Sequence, residues 1–388
     1  MTLFNDRFAI SGLGVTKQGR IPGVTVNAVR AEAARLAVED AGLTGRDIGG
    51  LIYQVGIEEM INNSLFEPGD VAKRLGMAPN FIWRIEAGGV TCASAILSAM
   101  AAIDAGTADY VLCVYGSCDL SHLLNMAGDP DERSTEGAYG LFTPGAQQAM
   151  SVTRHMHLYG TTHDQLGAIA VTQRENANKR PDAFMHDRTM TLEDYHKARW
   201  IIAPYQKYDM CLINDGGIGL IVTSSERAKD LKSRPVHIMG IGLGVQLKQA
   251  YDKENFTTLD VATAKQAAFK TAGITLDDID VAQLYDCFTG AVLFQTEDYG
   301  FCSKGEGGPF WENGHARVGG KIPINTSGGN LSWGYNQGFT PVAEAVRQLR
   351  GEGGETQVKD AEIALASGHG TNTTGMMEYG HSTIIMRR

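Results

Sequence analysis

The sequence has no run of roughly 18 apolar residues of the kind that spans a bilayer, and its first residues show no basic-then-apolar signal pattern. These absences give the expectation of a cytoplasmic protein without a membrane partner. An excess of positive charge is also missing: 34 Lys and Arg stand against 44 Asp and Glu, a net charge of -10. Such an average field does not attract nucleic acid or anionic lipid, so no nucleic-acid partner is expected. The six cysteines, Cys92, Cys113, Cys118, Cys211, Cys287 and Cys302, form no C-x-x-C pair. They read as reduced, mostly buried thiols rather than disulfides or a zinc site, and no metal is expected. What is present is 388 residues, 43% hydrophobic and 20% charged, enough for one large core or two ordinary ones.

Strand and helix patterns alternate along this chain. Residues 8–14 read as a strand and 27–41 as an amphipathic helix, with Val29, Ala33, Leu36 and Ala37 at helical spacing and Gly42 as its stop. Strands follow at 51–55 and 82–85, then a helix at 91–105 ending at Gly106 and a buried strand at 110–114. From 117 to about 160 the periodicity fails, and Gly128-Asp129-Pro130-Asp131-Glu132-Arg133 marks an exposed turn. A loop of that length in a compact domain usually has a function. A helix at 164–179, a segment at 191–202 and a strand at 217–223 complete the first part, and a strand at 236–244 opens the second. The alternation predicts an α/β layered fold.

The second part repeats the first. Ala41-Gly42-Leu43-Thr44-Gly45-Arg46-Asp47-Ile48 lines up with Ala272-Gly273-Ile274-Thr275-Leu276-Asp277-Asp278-Ile279, each after an alanine-rich helix and before a strand. Helix 91–105 running into strand 110–114 is matched by helix 341–349 running into strand 362–366. Eight positions alone are also what a common helix-to-strand connection gives. With the repeated order, they predict two similar halves, 1–230 with a loop region at about 117–205, and 231–388.

The chain is organised around Asn325–Thr340, where Gly328, Gly329, Gly334 and Gly338 permit positive φ and close approach and present Tyr335. Alone, such a stretch is a set of turns capping a strand. It resembles, however, the Asn-x-x-Gly-Gly followed by Gly-His-Pro signature of thiolases, with Tyr335 at the histidine position. Leu284-Tyr285-Asp286-Cys287-Phe288, followed by Glu297–Gly308, is similar to the active-site strand and following loop of the sterol-carrier-protein branch. Asp209-Met210-Cys211 with Asn214-Asp215-Gly216-Gly217 is similar to the end of that family's first half. The resemblance covers nearly the whole chain. It implies the thiolase fold, two similar βαβα halves packed as α/β/α/β/α layers with an inserted loop region and a shared site.

The same resemblance shows what has been lost. The family's nucleophilic cysteine falls on Gly89, in Glu86-Ala87-Gly88-Gly89-Val90-Thr91-Cys92, and its acid-base cysteine falls on Ala366, in Ala364–Gly370. Tyr285 stands where the sterol-carrier branch has histidine and other thiolases have asparagine. Without a thiolate, covalent acyl transfer has no nucleophile near neutral pH. Using Cys92 instead would shorten a buried helix by nearly a turn and rotate its apolar face, so a packed core cysteine is the simpler reading.

The remaining groups suit carbon-carbon cleavage without a covalent intermediate. A retro-aldol reaction on a β-hydroxyacyl-CoA removes the hydroxyl proton, stabilises an enolate at the thioester oxygen and reprotonates carbon. Tyr285 and Tyr335 are the candidates for the proton work, with Tyr285 preferred as base. A free phenol of pKa about 10 is only about 0.1% ionised at pH 7, and lowering that pKa by two units takes roughly 2.7 kcal/mol. The second phenol, His369 or loop N–H groups are the candidate sources. Backbone N–H groups around Gly89 and Gly368 are the candidate oxyanion hole. Taken singly, each tyrosine is a packed side chain with its hydroxyl at the rim; their joint occurrence at two family positions carries the assignment.

This pattern is similar to that of the thiolase-like steroid side-chain aldolases, or lipid-transfer proteins, which lack the catalytic cysteines. The resemblance implies cleavage of a 17-hydroxy steroid C20-carboxyl-CoA to a 17-ketosteroid and propionyl-CoA, or acetyl-CoA for other chains. It implies a CoA thioester as substrate with no permanently bound cofactor. It also implies a homodimer within a heterotetramer, completed by an OB-fold protein or domain carrying a zinc ribbon. Two other readings stay open: a non-catalytic acyl-CoA-binding or scaffold subunit, and an acyl-CoA thiolase using Cys92.

Overall fold

Alanine and glycine decide how closely the layers of this molecule approach. In the computed structural model, which describes residues 5–56, 68–122, 143–245, 254–371 and 378–388, helix Val26–Ala41 buries Ala33, Ala34 and Ala37. It lies so close to strand β1 (Phe8–Val15) that a Cβ on Gly14 would stand 2.1 Å from the Ala33 carbonyl oxygen. The arrangement recurs in the second part, where a Cβ on Gly242 would stand 2.0 Å from the Ala264 oxygen of helix Ala262–Ala272. Both helices end on a left-handed glycine, Gly42 at φ 74° and Gly273 at φ 71°, which lacks the Cβ that penalises that conformation. A one-turn 3-10 helix follows each, closed by the same cap: Thr44 N–H donates to Asp47 Oδ2 at 2.7 Å and Thr275 N–H to Asp278 Oδ2 at 2.8 Å. The matched octets thus fold alike.

Strands β2 (Gly50–Tyr53), β3 (Phe81–Arg84) and β4 (Tyr110–Cys118) follow β1, and β5 (Trp200–Ile202) and β6 (Tyr205–Gln206) form a separate ribbon. With β7 (Asp215–Ser224), β8 (Val236–Gly244), β9 (Val281–Gln283), β10 (Ile363–Thr371) and β11 (Glu378–Arg387) the main sheet has nine strands among the described residues, ordered β3-β2-β4-β7-β1-β8-β11-β10-β9. Its centre is the antiparallel contact of Ala9 and Ile10 in β1 with His237 and Val236 in β8. Ile324 bridges Ala282 in parallel beyond β9. From the centre outward, the order β1-β7-β4-β2-β3 is therefore mirrored by β8-β11-β10-β9 and the Ile324 bridge.

Helices Thr91–Asp104 and Phe339–Arg350 form the middle layer, with Ile96, Met100, Val342 and Val346 in one core with residues of β1, β4, β7, β8, β10 and β11. Helix Val26–Ala41 covers β4 and β7 on the other side, and helices Ala262–Ala272 and Thr289–Asp298 belong to a further core with Leu365 and Ile385. The result is the layered α/β arrangement expected from the sequence. No helix among the described residues is long and apolar enough to cross a membrane.

Three local expectations change. The stretch 117–160 is not irregular throughout: Pro144–Tyr159 is a 16-residue helix. Its buried face carries Gln147, Gln148, Ser151 and His155, so no apolar stripe advertises it. The turn Gly128–Arg133 lies outside the described residues. Residues Leu284–Phe288 are not a strand but the segment that leaves β9, and Glu297 and Asp298 close the helix Thr289–Asp298 rather than opening a loop. Asn325–Thr340 is buried along its whole length and contains the short helix Gly329–Ser332.

Candidate active site

Two segments converge beyond the end of β9 and beside β10, and polar side chains fix both backbones. Asn325, held at a left-handed φ of 52°, accepts from Leu284 N–H at 2.7 Å and donates to Leu284 O at 2.9 Å. On the next residue, Tyr285 N–H donates to Ser367 Oγ at 2.9 Å and Tyr285 O accepts from Gln295 Nε2 at 2.6 Å. Asp286 then accepts from the N–H groups of Asn330 and Leu331 at 2.9 and 3.1 Å. A Cβ on Gly329 would stand 2.1 Å from that carboxylate, so only glycine admits this packing. Burial pushes the Asp286 carboxyl up to about 8.

Tyr335 is placed from the first part of the chain. Its N–H donates to Asn214 Oδ1 at 2.6 Å, and Asn214 and Asn336 both donate to Gln18 Oε1, at 3.1 and 2.8 Å. These anchors bring the Tyr285 and Tyr335 hydroxyl oxygens to 3.2 Å. Tyr285 Oη also donates to Gln337 Oε1 at 3.3 Å. With its proton committed to Gln337, Tyr285 accepts the proton of Tyr335. The rings are only 3% and 9% exposed, and burial pushes both phenols well above the ordinary value. The contact itself divides them: it draws the Tyr285 phenol down and raises that of Tyr335. The sequence expectation of a lowered tyrosine pKa is thus not met: burial favours the neutral form of both phenols.

Gly89 lies in the 3-10 turn Gly88–Val90 that leads into helix Thr91–Asp104. A Cβ there would stand 2.3 Å from His369 O and 2.5 Å from Tyr285 Cε2. The volume a side chain would need is filled by the Tyr285 ring. Gly368 and Gly338 press on the same point, since a Cβ on either would stand 2.3 or 2.0 Å from Gly89 O. Tyr285, Tyr335, Gly89 and Gly368 are therefore one cluster. His369 joins it through its carbonyl, while its ring lies 6.0 Å from that of His381 on the neighbouring strand. Cys92 is different: it is buried in the middle-layer core, and burial with Cys113 nearby pushes its thiol well above the ordinary range. Such a thiol is not an activated nucleophile. Glu86, beside the turn, is pushed up to about 6 by burial and accepts from Gly88 N–H at 2.9 Å.

Sequence reasoning assigned no role to Gln337, Ser367, Gln295 or Gln18. Gln337 and Ser367 lie inside the two stretches it singled out, but Gln295 and Gln18 meet the site only through the tertiary fold. Chemically, the cluster offers two phenols in contact and a group of close-packed glycine backbones, with no thiol among these groups.

Residues 242–387 match the family model for a thiolase C-terminal domain. A steroid side-chain-cleaving aldolase of Thermomonospora curvata is 32% identical over 97% of this chain and 99% of its own. The 17-hydroxy-3-oxo-4-pregnene-20-carboxyl-CoA lyase of Mycobacterium tuberculosis is 33% identical over 97% of this chain and 100% of its own. Among solved structures, the Ltp2–ChsH2(DUF35) aldolase superposes with a TM-score of 0.87 at 31% identity, covering 99% of this chain and 98% of that one. Human mitochondrial 3-ketoacyl-CoA thiolase, at 14% identity and a TM-score of 0.72 over 98% of both chains, shares the fold. Matched along nearly its whole length, the chain belongs to the thiolase superfamily, among the thiolase-like steroid side-chain-cleaving aldolases.

Proposed function

We propose that this protein splits a 17-hydroxy steroid C20-carboxyl-CoA by a retro-aldol reaction into a 17-ketosteroid and propionyl-CoA, or acetyl-CoA where the chain differs. Tyr285, reacting as its phenolate, takes the hydroxyl proton, the carbon-carbon bond breaks, and its electron pair enters the thioester as an enolate. Tyr335 gives a proton to the α-carbon. The proton on Tyr285 then crosses the 3.2 Å gap to Tyr335 and restores the pair. One proton leaves oxygen and one reaches carbon, so the reaction is proton-neutral. The observation that carries this reading is the contact of two buried phenols, one of which fills the space beside Gly89.

Backbone N–H groups around Gly89 and Gly368 are assigned to the enolate oxygen, and His369 supports them from β10. Tyr285 and Tyr335 come from residues 231–388 and Gly89, Asn214 and Gln18 from 1–230, so the reacting groups sit where the two proposed halves meet. An OB-fold partner with a zinc ribbon, in a heterotetramer built on a homodimer of this chain, is proposed from the likeness to the Ltp2–ChsH2(DUF35) aldolase. The proposed compartment is the cytoplasm.

The test is product release from the steroid CoA thioester by wild type, Tyr285→Phe and Tyr335→Phe, with and without the OB-fold partner. Propionyl-CoA from wild type and a loss of more than about a hundredfold in each variant are expected for acid-base groups. Full activity in both variants rejects the tyrosine mechanism. An inactive wild type with its partner present favours a binding subunit.

A further inference from the structure

Gln337 is the third polar side chain at the phenol pair, and it holds its place against the backbone's own preference. It adopts a left-handed φ of 55°, a region that disfavours residues with a Cβ, and is 4% exposed. Its Oε1 accepts from Tyr285 Oη at 3.3 Å, and among the described residues its Nε2 has no acceptor. Turning the amide over therefore breaks no hydrogen bond except the one to Tyr285. The next residue, Gly338, packs directly on Gly89 O, which ties this turn to the site's glycine cluster.

We propose that Gln337 is a positioning residue that sets the direction of the hydrogen bond between the two phenols and, with its amide turned over, holds Tyr285 as the phenolate. The inference rests on the two-phenol reading above. In the neutral site the amide oxygen takes the Tyr285 proton, leaving the Tyr285 oxygen to accept from Tyr335. When Tyr285 is ionised it offers only lone pairs, and the amide nitrogen is the end that satisfies them. One side chain thus serves both states of the base, which neither a carboxylate nor a thioether can do. The other titratable groups facing Tyr285 are Tyr335, Cys211, Cys287 and Asp286.

The experiment is a profile of kcat/KM against pH for wild type, Gln337→Met, Gln337→Glu and Tyr285→Phe, each with the OB-fold partner. Gln337→Met should lower kcat/KM about tenfold and move the alkaline-rising limb up by about one pH unit, with KM little changed. Gln337→Glu, isosteric but restricted to accepting when ionised, should move the limb further. If Tyr285→Phe is inactive while the limb is unmoved in both Gln337 variants, the Gln337 assignment is wrong and the two-phenol reading survives. If Tyr285→Phe keeps its activity, both fall.

A measurement independent of turnover is carbon-13 NMR of protein labelled at tyrosine Cζ, with the Tyr285 signal identified as the one Tyr285→Phe removes. That signal should titrate at higher pH in Gln337→Met and Gln337→Glu than in wild type. An unchanged titration in a folded variant overturns the proposal.

Discussion

The ring of Tyr285 occupies the space in which Gly89 would carry a side chain, with Cε2 and Cζ at 2.5 and 2.6 Å from where that Cβ would stand. The missing side chain at Gly89 and the placement of the Tyr285 phenol are therefore a single steric relationship.

Putting a side chain back should show it. Gly89→Ala overpacks a buried site and is expected to cost about 1–3 kcal/mol by urea unfolding. Much of that cost should vanish in Gly89→Ala/Tyr285→Ala, because one of the colliding groups is gone. Strictly additive effects would show that the ring and the glycine do not share the space.

Asn325→Ala removes both partners of the Leu284 backbone and leaves a residue with a Cβ at φ 52°. A loss of about 2–4 kcal/mol is expected in chemical denaturation. Since Tyr285 follows Leu284 directly, kcat should fall with it. An unchanged kcat would mean that Tyr285 is held in place by Ser367 and Gln295 alone.

Asp286 makes stability depend on pH in a direction opposite to that of paired carboxylates. Its folded value of about 8 exceeds the unfolded value of about 3.9, so the folded state keeps the proton longer. Stability is then lost as pH rises from the unfolded value through the folded one. Relative to Asp286→Asn, wild type should lose roughly 1 kcal/mol per pH unit between about pH 6 and pH 8. A constant gap between the two would show that Asp286 titrates normally.

Glu297 collects His155 Nε2 and Lys304 Nζ at 3.0 Å, with the N–H groups of Gly305 and Gly307 at 3.1 and 2.9 Å. Glu297→Leu takes the acceptor from His155 Nε2 and the two N–H groups, while Lys304 keeps Asp298 and the Thr257 carbonyl, and should cost about 3–5 kcal/mol. Glu297→Gln keeps an acceptor and should cost less. Equal thermal shifts for the two variants would count against this network as the reason Glu297 is buried.

Much of the fold is legible in the sequence because it is written in local rules. Gly42 and Gly273 end helices, Thr44 and Thr275 cap turns, and alanines at helical spacing announce helices that lie close to their sheet. Helix Pro144–Tyr159 escaped because its inner face is polar, with His155 bonded to Glu297 far along the chain. Tyr285, Tyr335 and Gly89 were singled out through family resemblance, and the fold brings them together. Gln18 was not, since its role depends on Asn214 and Asn336 arriving from distant segments. The depressed phenol pKa was inferred from function, whereas burial acts the other way.

Among the described residues, strand β1 pairs with β7 and β8, both far along the chain. During synthesis it leaves the ribosome with neither neighbour made, and at roughly 5–20 residues per second roughly 10–40 s pass before β7 follows. The β1 segment of the nascent chain therefore waits with unpaired edges until β7 and β8 have followed it, which makes it a natural point of action for a chaperone.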